Sequence, residues 1–421
     1  MNKQCLFNGI NKQAFPLVLF ALWVLYLFSL YNFNLWAYVG VPHMKPLFAD
    51  LHAILAAAEC SDKGLNVFVT NPCDALGRIH VYGSLWLKIS HLGLQSQHLF
   101  MLGLSLNLIF MLFAVFLIQP KTLGQLALSC LIVFSPAVTL GIERANNDLV
   151  IFILIALGAI LLAFKTRLTL AAGLALIYLS SSLKIYPSIL FGTVLLFVKQ
   201  QAKERMLIFG TICLLGTLWL AFSMNEILLL KDLVPRPLDH YVTGLQALFA
   251  YLGRPYPQIL LIAEAWRLAF FLGLIAAGAL WLAHRLKLSD FESTQSDFKY
   301  ILFLSGLSLL FFTYTLNSNY DYRWIFFIFL MPNLFHIQQT AAKNTLAKKM
   351  VTASFICAAI VMWTEAVRAT RLLGLSNFNI YFNLGKSTFS IELLQQFLKE
   401  LSAWLLFIIL FAFAIRQFSK R

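Results

Sequence analysis

The sequence predicts an all-α polytopic membrane protein with about 12 transmembrane helices, in a range of roughly 10 to 13. Apolar residues make up 60% of the 421 positions and charged residues only 12%. Soluble domains carry about 25% charged residues, so a soluble fold could not keep this much apolar surface from water. Apolar windows recur along the chain, and no low-complexity tract or linker interrupts them. We therefore expect one integral domain, 1–421.

Windows of about 17–25 apolar residues place the individual spans. They lie at 14–39, 98–118, 122–142, 148–164, 168–183, 185–198, 206–224, 260–283, 299–316, 323–340, 349–367 and 396–415. The first span is longer than the apolar core of a signal peptide, about 7–15 residues, so we expect it to be retained. The long loops are 40–97, 225–258 and 368–395, and within them 51–58 and 245–252 predict interfacial helices.

The basic residues predict how the chain is oriented in the membrane. With the N-terminus inside, the inner segments hold 17 of the 32 basic residues and four of the 18 acidic ones. Basic residues concentrate in cytoplasmic loops, so both termini are expected in the cytoplasm and the three long loops on the outer face of an inner (plasma) membrane. The net charge of +14 then has a topological origin. Because no basic run alternates with water-exposed aromatic residues, we expect no nucleic-acid partner.

Four polar clusters fall on the outer side of this topology. Charged groups are costly in lipid and line cavities instead, so these clusters are the candidate site. The residues that carry them are Asp50 and Arg78 in the first loop, Arg144, Asn147 and Asp148 between two spans, Lys184 and Tyr186 beside a helix break at Pro187, and Asp321 and Arg323 before a late span.

Each cluster also has a structural interpretation. Asp50 can act as an N-cap of the helix predicted after it. Asp148 can favour a helix N-terminus in a solvated turn. Lys184 can extend its ammonium to the membrane interface, and Asp321 can form an ion pair with Arg323 within an aromatic belt. The sequence alone leaves these alternatives open.

Cysteine and histidine spacing bears on disulfides and metals. Cys60 and Cys73 share the first outer loop, and they are expected to form a disulfide if that side is oxidising. His52 and His80 with Asp50 and Asp74 match no ligand spacing typical of zinc. We therefore predict no metal or other cofactor from the sequence, although a divalent ion could assist phosphate chemistry.

The clusters resemble, in their order, a known enzyme family. Asp50 in the first outer loop, Arg144-x-x-Asn147-Asp148, Lys184-Ile-Tyr186-Pro187 and Asp321-Tyr-Arg323 look like the bacterial polyprenyl-phosphomannose-type mannosyltransferases of the GT-C superfamily. The resemblance runs from about residue 14 to 340. The chain departs from the family in one respect. GT-C acids often form a close pair, whereas the acids after Asp50 are Glu59 and Asp62.

The resemblance implies an inverting glycosyltransferase with a GT-C-like fold. It would move a mannose-like hexose from a polyprenyl-phosphate donor to a hydroxyl of a glycan or glycolipid acceptor, at the outer face and among membrane lipids. A carboxylate would be the general base. Carried onto this chain, the roles are Asp50 or, second, Asp148 as base, Arg144, Lys184 and Arg323 as phosphate ligands, and Asn147, Tyr186, Asp321 and Arg78 as substrate contacts.

Two other functions compete with this one. A glycan polymerase or ligase would use a large outer loop with arginines and a histidine, which Arg236, His240 and Arg254 provide. A transporter or lipid flippase would show paired repeats with broken helices near the bilayer midplane. Only one break, near Lys184, is evident in the sequence.

Overall fold

A computed structural model of the chain describes residues 14–164, 166–196, 202–233, 241–253, 258, 261–291, 297–316, 319–342, 345–372, 381–384 and 387–420. Within these residues the fold is all-α, as predicted, apart from two small antiparallel pairs of strands. The α-helices are α1 Ala14–Asn32, α2 Ala49–Asp62, α3 Leu99–Ile118, α4 Leu123–Val133, α5 Pro136–Glu143, α6 Asn147–Ala163, α7 Arg167–Leu183, α8 Ile189–Val194, α9 Ala202–Leu233, α10 Leu245–Gly253, α11 Glu264–Arg285, α12 Asp297–Leu316, α13 Met331–Thr340, α14 Leu346–Leu372 and α15 Ile391–Lys420.

Short 3₁₀ helices and strands connect these helices. The 3₁₀ helices are Trp36–Val39, Ser84–Leu92, Ser96–His98, Tyr186–Ser188, Leu288–Asp290 and Asp321–Phe329. The strands are β1 Val242–Thr243 paired with β2 Asn319–Tyr320, and β3 Tyr381–Leu384 paired with β4 Ser387–Ser390. The β1–β2 pair connects the second long loop to the residues just before the 3₁₀ helix Asp321–Phe329.

The helices are those of a multi-pass membrane protein. Among the described residues, seven are long and apolar enough to cross a bilayer, and the pair α4 and α5, bent by 55°, makes an eighth. Helices α6 and α7 are apolar but have only 17 residues each. The predicted count of about 12 is not confirmed. Two of the predicted spans, 185–198 and 323–340, consist of short pieces, with a proline in the first turn of a helix in each.

The predicted loop helices exist, and their burial differs from the expectation. Helix α2 covers 51–58 and helix α10 covers 245–252. The middle of α2 is completely buried, with Ile54, Leu55 and Ala56 at 0% exposure. Helix α2 is therefore packed inside the protein and is part of the scaffold of the first loop.

Small residues bring two of the shorter helices close together. Gly158 on α6 lies against the backbone of Gly173 on α7, where an added methyl group would be 3.6 Å from the Gly173 carbonyl oxygen. Small side chains leave room for helix backbones to approach closely, and such packing holds helices together in membranes, where expulsion of water contributes no driving force. This contact aligns the ends of α6 and α7, and it places the start of α6 next to Lys184 at the end of α7.

Candidate functional site

A cavity of about 720 Å³ lies where the first long loop meets the ends of several helices. It combines polar groups from segments far apart in sequence, as ligand-binding pockets do. Six of the predicted site residues line it, namely Asp50, Arg78, Arg144, Lys184, Tyr186 and Arg323. The cavity thus contains residues from each of the four polar clusters.

Asp50 lies in the first turn of α2 and is 6% exposed. The N-cap residue is Phe48, which makes no side-chain capping bond, so the interpretation of Asp50 as an N-cap is wrong. Its carboxylate instead accepts hydrogen bonds from Arg78 Nη1 at 3.2 Å and from Asn146 Nδ2 at 2.6 Å. A carboxylate has about four lone-pair positions. Asp50 therefore keeps acceptor capacity while it lines the cavity.

Arg78 is held from behind by a buried carboxylate. Asp74 accepts bonds from Arg78 Nε at 3.0 Å and Nη2 at 3.1 Å, and from His52 Nδ1 at 2.9 Å. The other Nη2 bond of Arg78 goes to the Ala49 carbonyl at 2.6 Å. Burial raises the pKa of Asp74, but the bonds from His52 and Arg78 outweigh it and hold the pKa well below its usual range. Asp74 is therefore ionised. It holds the Arg78 guanidinium in the position from which Nη1 donates to Asp50.

The turn between α5 and α6 separates Arg144 from its neighbours. Ala145 has a φ of 43°, which reverses the chain within a few residues. Asn146 is the N-cap of α6, and its side chain accepts the Asp148 N–H at 2.9 Å. Asp148 is 0% exposed, so the interpretation of this segment as a solvated turn is wrong. Arg144 alone of this turn lines the cavity.

Lys184 is bonded inside the protein, and only 10% of its side chain is exposed, so it does not extend to the protein surface. Its ammonium donates to Asp148 Oδ1 and to Asn147 Oδ1, the latter at 2.8 Å. Tyr186 donates to the same Asp148 oxygen at 2.9 Å. Asn147 and Asp148 thus support Lys184 from behind and are not among the described lining residues. An ammonium has three donors, so one N–H of Lys184 remains available.

Three tyrosines surround the Lys184 ammonium. The ring centres of Tyr82, Tyr186 and Tyr322 lie 5.4, 5.7 and 5.7 Å from the nitrogen. Within about 6 Å, a ring face attracts a cation. Each tyrosine also lines the cavity. The aromatic rings therefore stabilise a positive charge at the wall of the cavity.

Two arginines present guanidinium groups that are not fully paired. The Nε atoms of Arg144 and Arg323 are buried and have no hydrogen-bond partner in the described part of the chain. The nearest carboxylate oxygens lie 4.0 Å from Arg144, on Glu143, and 3.7 Å from Arg323, on Asp148. These distances are beyond hydrogen-bond length. These Nε atoms are shielded from solvent, but both side chains line the cavity, where the outer N–H groups of the guanidinium can meet an anionic ligand.

Gly83 brings the first loop against the end of α7. A methyl group at this position would lie 2.2 Å from the Ser182 carbonyl oxygen, a distance that no side chain tolerates. The Gly83 N–H donates to the Leu183 carbonyl at 3.3 Å. Glycine is required here because the two backbones touch, and the contact places Tyr82 beside Lys184.

Asp321 does not line the cavity and belongs to a second polar cluster. It accepts hydrogen bonds from Lys399 Nζ at 2.6 Å and from the Thr243 hydroxyl. Lys399 also lies 3.3 Å from Glu365, which pairs with Arg368 at 2.9 Å. The interpretation of Asp321 as the partner of Arg323 is therefore wrong. Asp321 anchors the segment that carries Arg323.

Sequence reasoning missed several residues of these clusters. Tyr82, Tyr320 and Tyr322 line the cavity without having been singled out. Lys399 and Glu365 lie within predicted spans, and a charge inside an apolar span is itself a functional signal. The predicted disulfide is present, because Cys60 and Cys73 are joined in the first loop.

The cavity is electropositive. Four cations and one carboxylate face it among the described lining residues, with Asp148 behind the wall. Such a site attracts an anion and disfavours a cation. In the described part of the chain, no group of three or more His, Cys, Asp or Glu side chains is arranged to hold a metal ion.

Some predicted residues cannot be placed. Arg236, His240 and Arg254 of the second long loop, and 373–380 of the third, lie outside the described residues. Comparison of the chain with protein-family models, with curated proteins and with solved structures gave no match.

Proposed function

We propose that the protein is a membrane glycosyltransferase that takes a hexose, mannose-like in the family it resembles, from a polyprenyl-phosphate donor to an acceptor hydroxyl. The observation that carries the proposal is that one carboxylate, Asp50, lines the same cavity as Arg144, Lys184 and Arg323. A base for the acceptor and cations for a leaving phosphate are the two requirements of this reaction.

The chemical step needs no group that the chain and its two substrates lack. The acceptor oxygen forms a bond to the anomeric carbon while the bond from that carbon to the phosphate oxygen breaks. The electron pair of the broken bond stays on the lipid phosphate, and the acceptor proton passes to the Asp50 carboxylate. Attack from the side opposite the phosphate inverts the anomeric carbon. Asp50 is favoured over Asp148 because Asp148 is 0% exposed and already accepts bonds from Lys184 and Tyr186.

The leaving phosphate would be held by Arg144, Arg323 and the remaining N–H of Lys184. An arginine fork matches phosphate geometry and gives strong charge-assisted bonds. Arg78 is assigned a different part. Four of its five N–H donors are already bonded to Asp74, Asp50 and Ala49, so it positions the base.

An apolar wall next to these cations suits the lipid part of the donor. Leu230 and Leu233 of α9 and Leu316 of α12 line the same cavity. Leu316 is 55% exposed, so this wall continues to the outer surface of the helix bundle. In a membrane that surface faces acyl chains, and an isoprenoid tail can leave the cavity along it without entering water.

The proposed orientation places the cavity on the outer side of an inner (plasma) membrane, with both termini in the cytoplasm and about 12 spans, the short helices included. The disulfide between Cys60 and Cys73 supports this orientation. Disulfides persist in oxidising compartments and are rare in the cytosol. The first loop, which carries Asp50 and Arg78, is therefore assigned to the outer side.

The test is sugar transfer by the purified protein in lipid nanodiscs. A panel of radiolabelled polyprenyl-phosphate hexoses serves as donor, and membrane glycans and glycolipids serve as acceptors. We expect transfer from one or more donors, and a loss of at least a hundredfold in Asp50→Asn, which keeps the shape but not the basicity of the side chain. Asp62→Asn on the same helix is the matched control and should leave transfer unchanged. Absence of transfer from every donor by the folded wild-type protein would overturn the proposal.

A transporter or lipid flippase is the second candidate. The buried cluster of Asp321, Glu365, Arg368 and Lys399 favours it, because charges within membrane helices often mark transport pathways. Reconstituted vesicles with a fluorescent polyprenyl phosphate test it. Flipping that requires Lys399 and proceeds without sugar transfer would favour this candidate over the enzyme.

A further inference from the structure

A second cavity, of about 380 Å³, lies beside the first and has no role in the function proposed above. It is formed by the segment after α1, by Tyr241 and by the end of α14. Its described lining includes Asn34, Trp36, Gly40, His43, Tyr241 and Ala369. A volume of this size is within the range of small-molecule sites, about 300–1,000 Å³.

The wall of this cavity is fixed in place by Gly40. Its φ is 73°, and a methyl group there would lie 2.5 Å from the backbone of Glu365 on α14. Only glycine combines this left-handed conformation with so close an approach. The segment 34–43 is therefore built against α14, and the cavity between them has a defined shape.

His43 is held at this wall by a buried carboxylate and an aromatic ring. Its Nδ1 lies 3.2 Å from Glu143 Oε1, and Glu143 is 0% exposed. Its ring stacks on Trp36 at 5.6 Å with an angle of 9° between the planes. We assign the ring proton to Nδ1, the nitrogen that lies 3.2 Å from this carboxylate, and Nε2 is then the acceptor. No described residue donates a hydrogen bond to Nε2.

The two cavities share their walls. Glu143 Oε1, which contacts His43, also accepts the Met44 N–H at 2.7 Å, and Met44 lines the first cavity. On the other side, the Tyr241 carbonyl accepts the Asp321 N–H at 2.8 Å, two residues before Arg323. A ligand in the second cavity therefore lies next to the proposed donor site.

We propose that the second cavity binds the acceptor, a sugar whose hydroxyl donates a hydrogen bond to His43 Nε2. This inference rests on the proposed function. A sugar hydroxyl is both donor and acceptor, so a bare imidazole nitrogen and a phenol are complementary to it. Burial, reinforced by the nearby Glu365, raises the pKa of Tyr241 to about 12, and its phenol therefore stays neutral and can donate. Glu143 acts as a positioning residue that keeps the His43 ring in place.

The experiment uses the full-length protein in nanodiscs with para-nitrophenyl hexosides as acceptor probes. Transfer and donor hydrolysis are followed separately, because hydrolysis uses water and needs no acceptor. In His43→Ala we expect the KM for the hexoside to rise about fivefold to tenfold, because the variant loses one neutral hydrogen bond to the sugar. Donor hydrolysis should stay within twofold of wild type. His43→Gln, which keeps a hydrogen-bonding group, should recover part of the loss.

A matched control is His91→Gln, because His91 is an exposed histidine of the same loop, 3.7 Å from Asp62. This variant should change neither the KM for the hexoside nor the rate of donor hydrolysis. An unchanged KM in His43→Ala, or an equal fall in hydrolysis and transfer, would overturn the inference. If the wild-type protein turns over no donor, the proposed function fails, and equilibrium dialysis of the same hexosides then decides the inference alone. Weaker binding by His43→Ala would uphold a sugar site, and equal or undetectable binding would overturn it.

Discussion

Removal of the Lys184 ammonium tests whether the wall of the main cavity depends on a buried ion pair. The side chains of Lys184 and Asp148 are 10% and 1% exposed. Lys184→Met leaves the carboxylate with the Tyr186 hydroxyl at 2.9 Å and with Arg323 at 3.7 Å. Breaking a buried pair costs about 3–5 kcal/mol. Because these two neighbours remain, we expect the free energy of unfolding to fall by about 3 kcal/mol, the lower end of this range.

The assay is equilibrium unfolding in mixed micelles, with a double-variant cycle. Lys184→Met combined with Asp148→Leu removes both charges, and replacing a buried pair with apolar groups is often close to neutral. The double variant should therefore be within about 1 kcal/mol of wild type. A single variant that loses less than about 1 kcal/mol, or a double variant that loses the sum of both single losses, would refute the reasoning.

Three further predictions concern the first loop. Gly83→Ala should lower the rate of sugar transfer at least tenfold, since its methyl group would lie 2.2 Å from the Ser182 carbonyl oxygen. Gly273→Ala is the control and should leave the transfer rate unchanged, because there is open space around Gly273. Burial lowers the pKa of His80 to about 4 despite its bond to the Gly83 carbonyl, so the free energy of unfolding should fall by roughly 3 kcal/mol between pH 6.5 and 4, and unfolding of His80→Gln should lack this slope. Replacing Cys60 and Cys73 with alanine should lower the free energy of unfolding by about 3 kcal/mol for a loop of this length. Equal stability of the wild-type protein with and without reductant would contradict this prediction.

Hydropathy and charge order predicted which segments meet at the site. Every second connection between spans lies on the same face of a membrane, so the predicted spans put Asp50, Arg144, Lys184 and Arg323 on one side. The structure puts these four residues around one cavity. This part of the prediction used only the order of the predicted spans, whose count of about 12 is not confirmed.

Side-chain direction could not be predicted in the same way. In a helix each residue turns by about 100° relative to the one before it, so a shift of a few residues at a helix start exchanges a lining residue for a buried one. Because Asn146 takes the N-cap of α6, Asp148 faces the protein interior and Arg144 faces the cavity. The sequence alone therefore left Asp148 as the second candidate for the base, after Asp50.

Pairing between distant helices was the other part that the sequence did not reveal. Asp321 and Lys399 are 78 positions apart, and their contact depends on how α15 packs against the β1–β2 pair. Hydropathy contains no information on which helices are neighbours. The sequence did contain one usable signal for this cluster, since Glu365 and Lys399 are ionisable residues within predicted spans.

The measurement that tests the central claim most directly is the affinity of the cavity for a lipid phosphate. Binding of a short-chain polyprenyl phosphate is compared with binding of the polyprenol of the same length, which lacks the phosphate. The wild-type protein should bind the phosphate more tightly than the alcohol. Arg144→Gln or Arg323→Gln should weaken binding of the phosphate roughly tenfold to a hundredfold, because each variant loses about one charged hydrogen bond. Arg285→Gln, at an exposed arginine stacked on Trp281, should have no effect. Equal affinity of wild type for the phosphate and the alcohol would contradict the account.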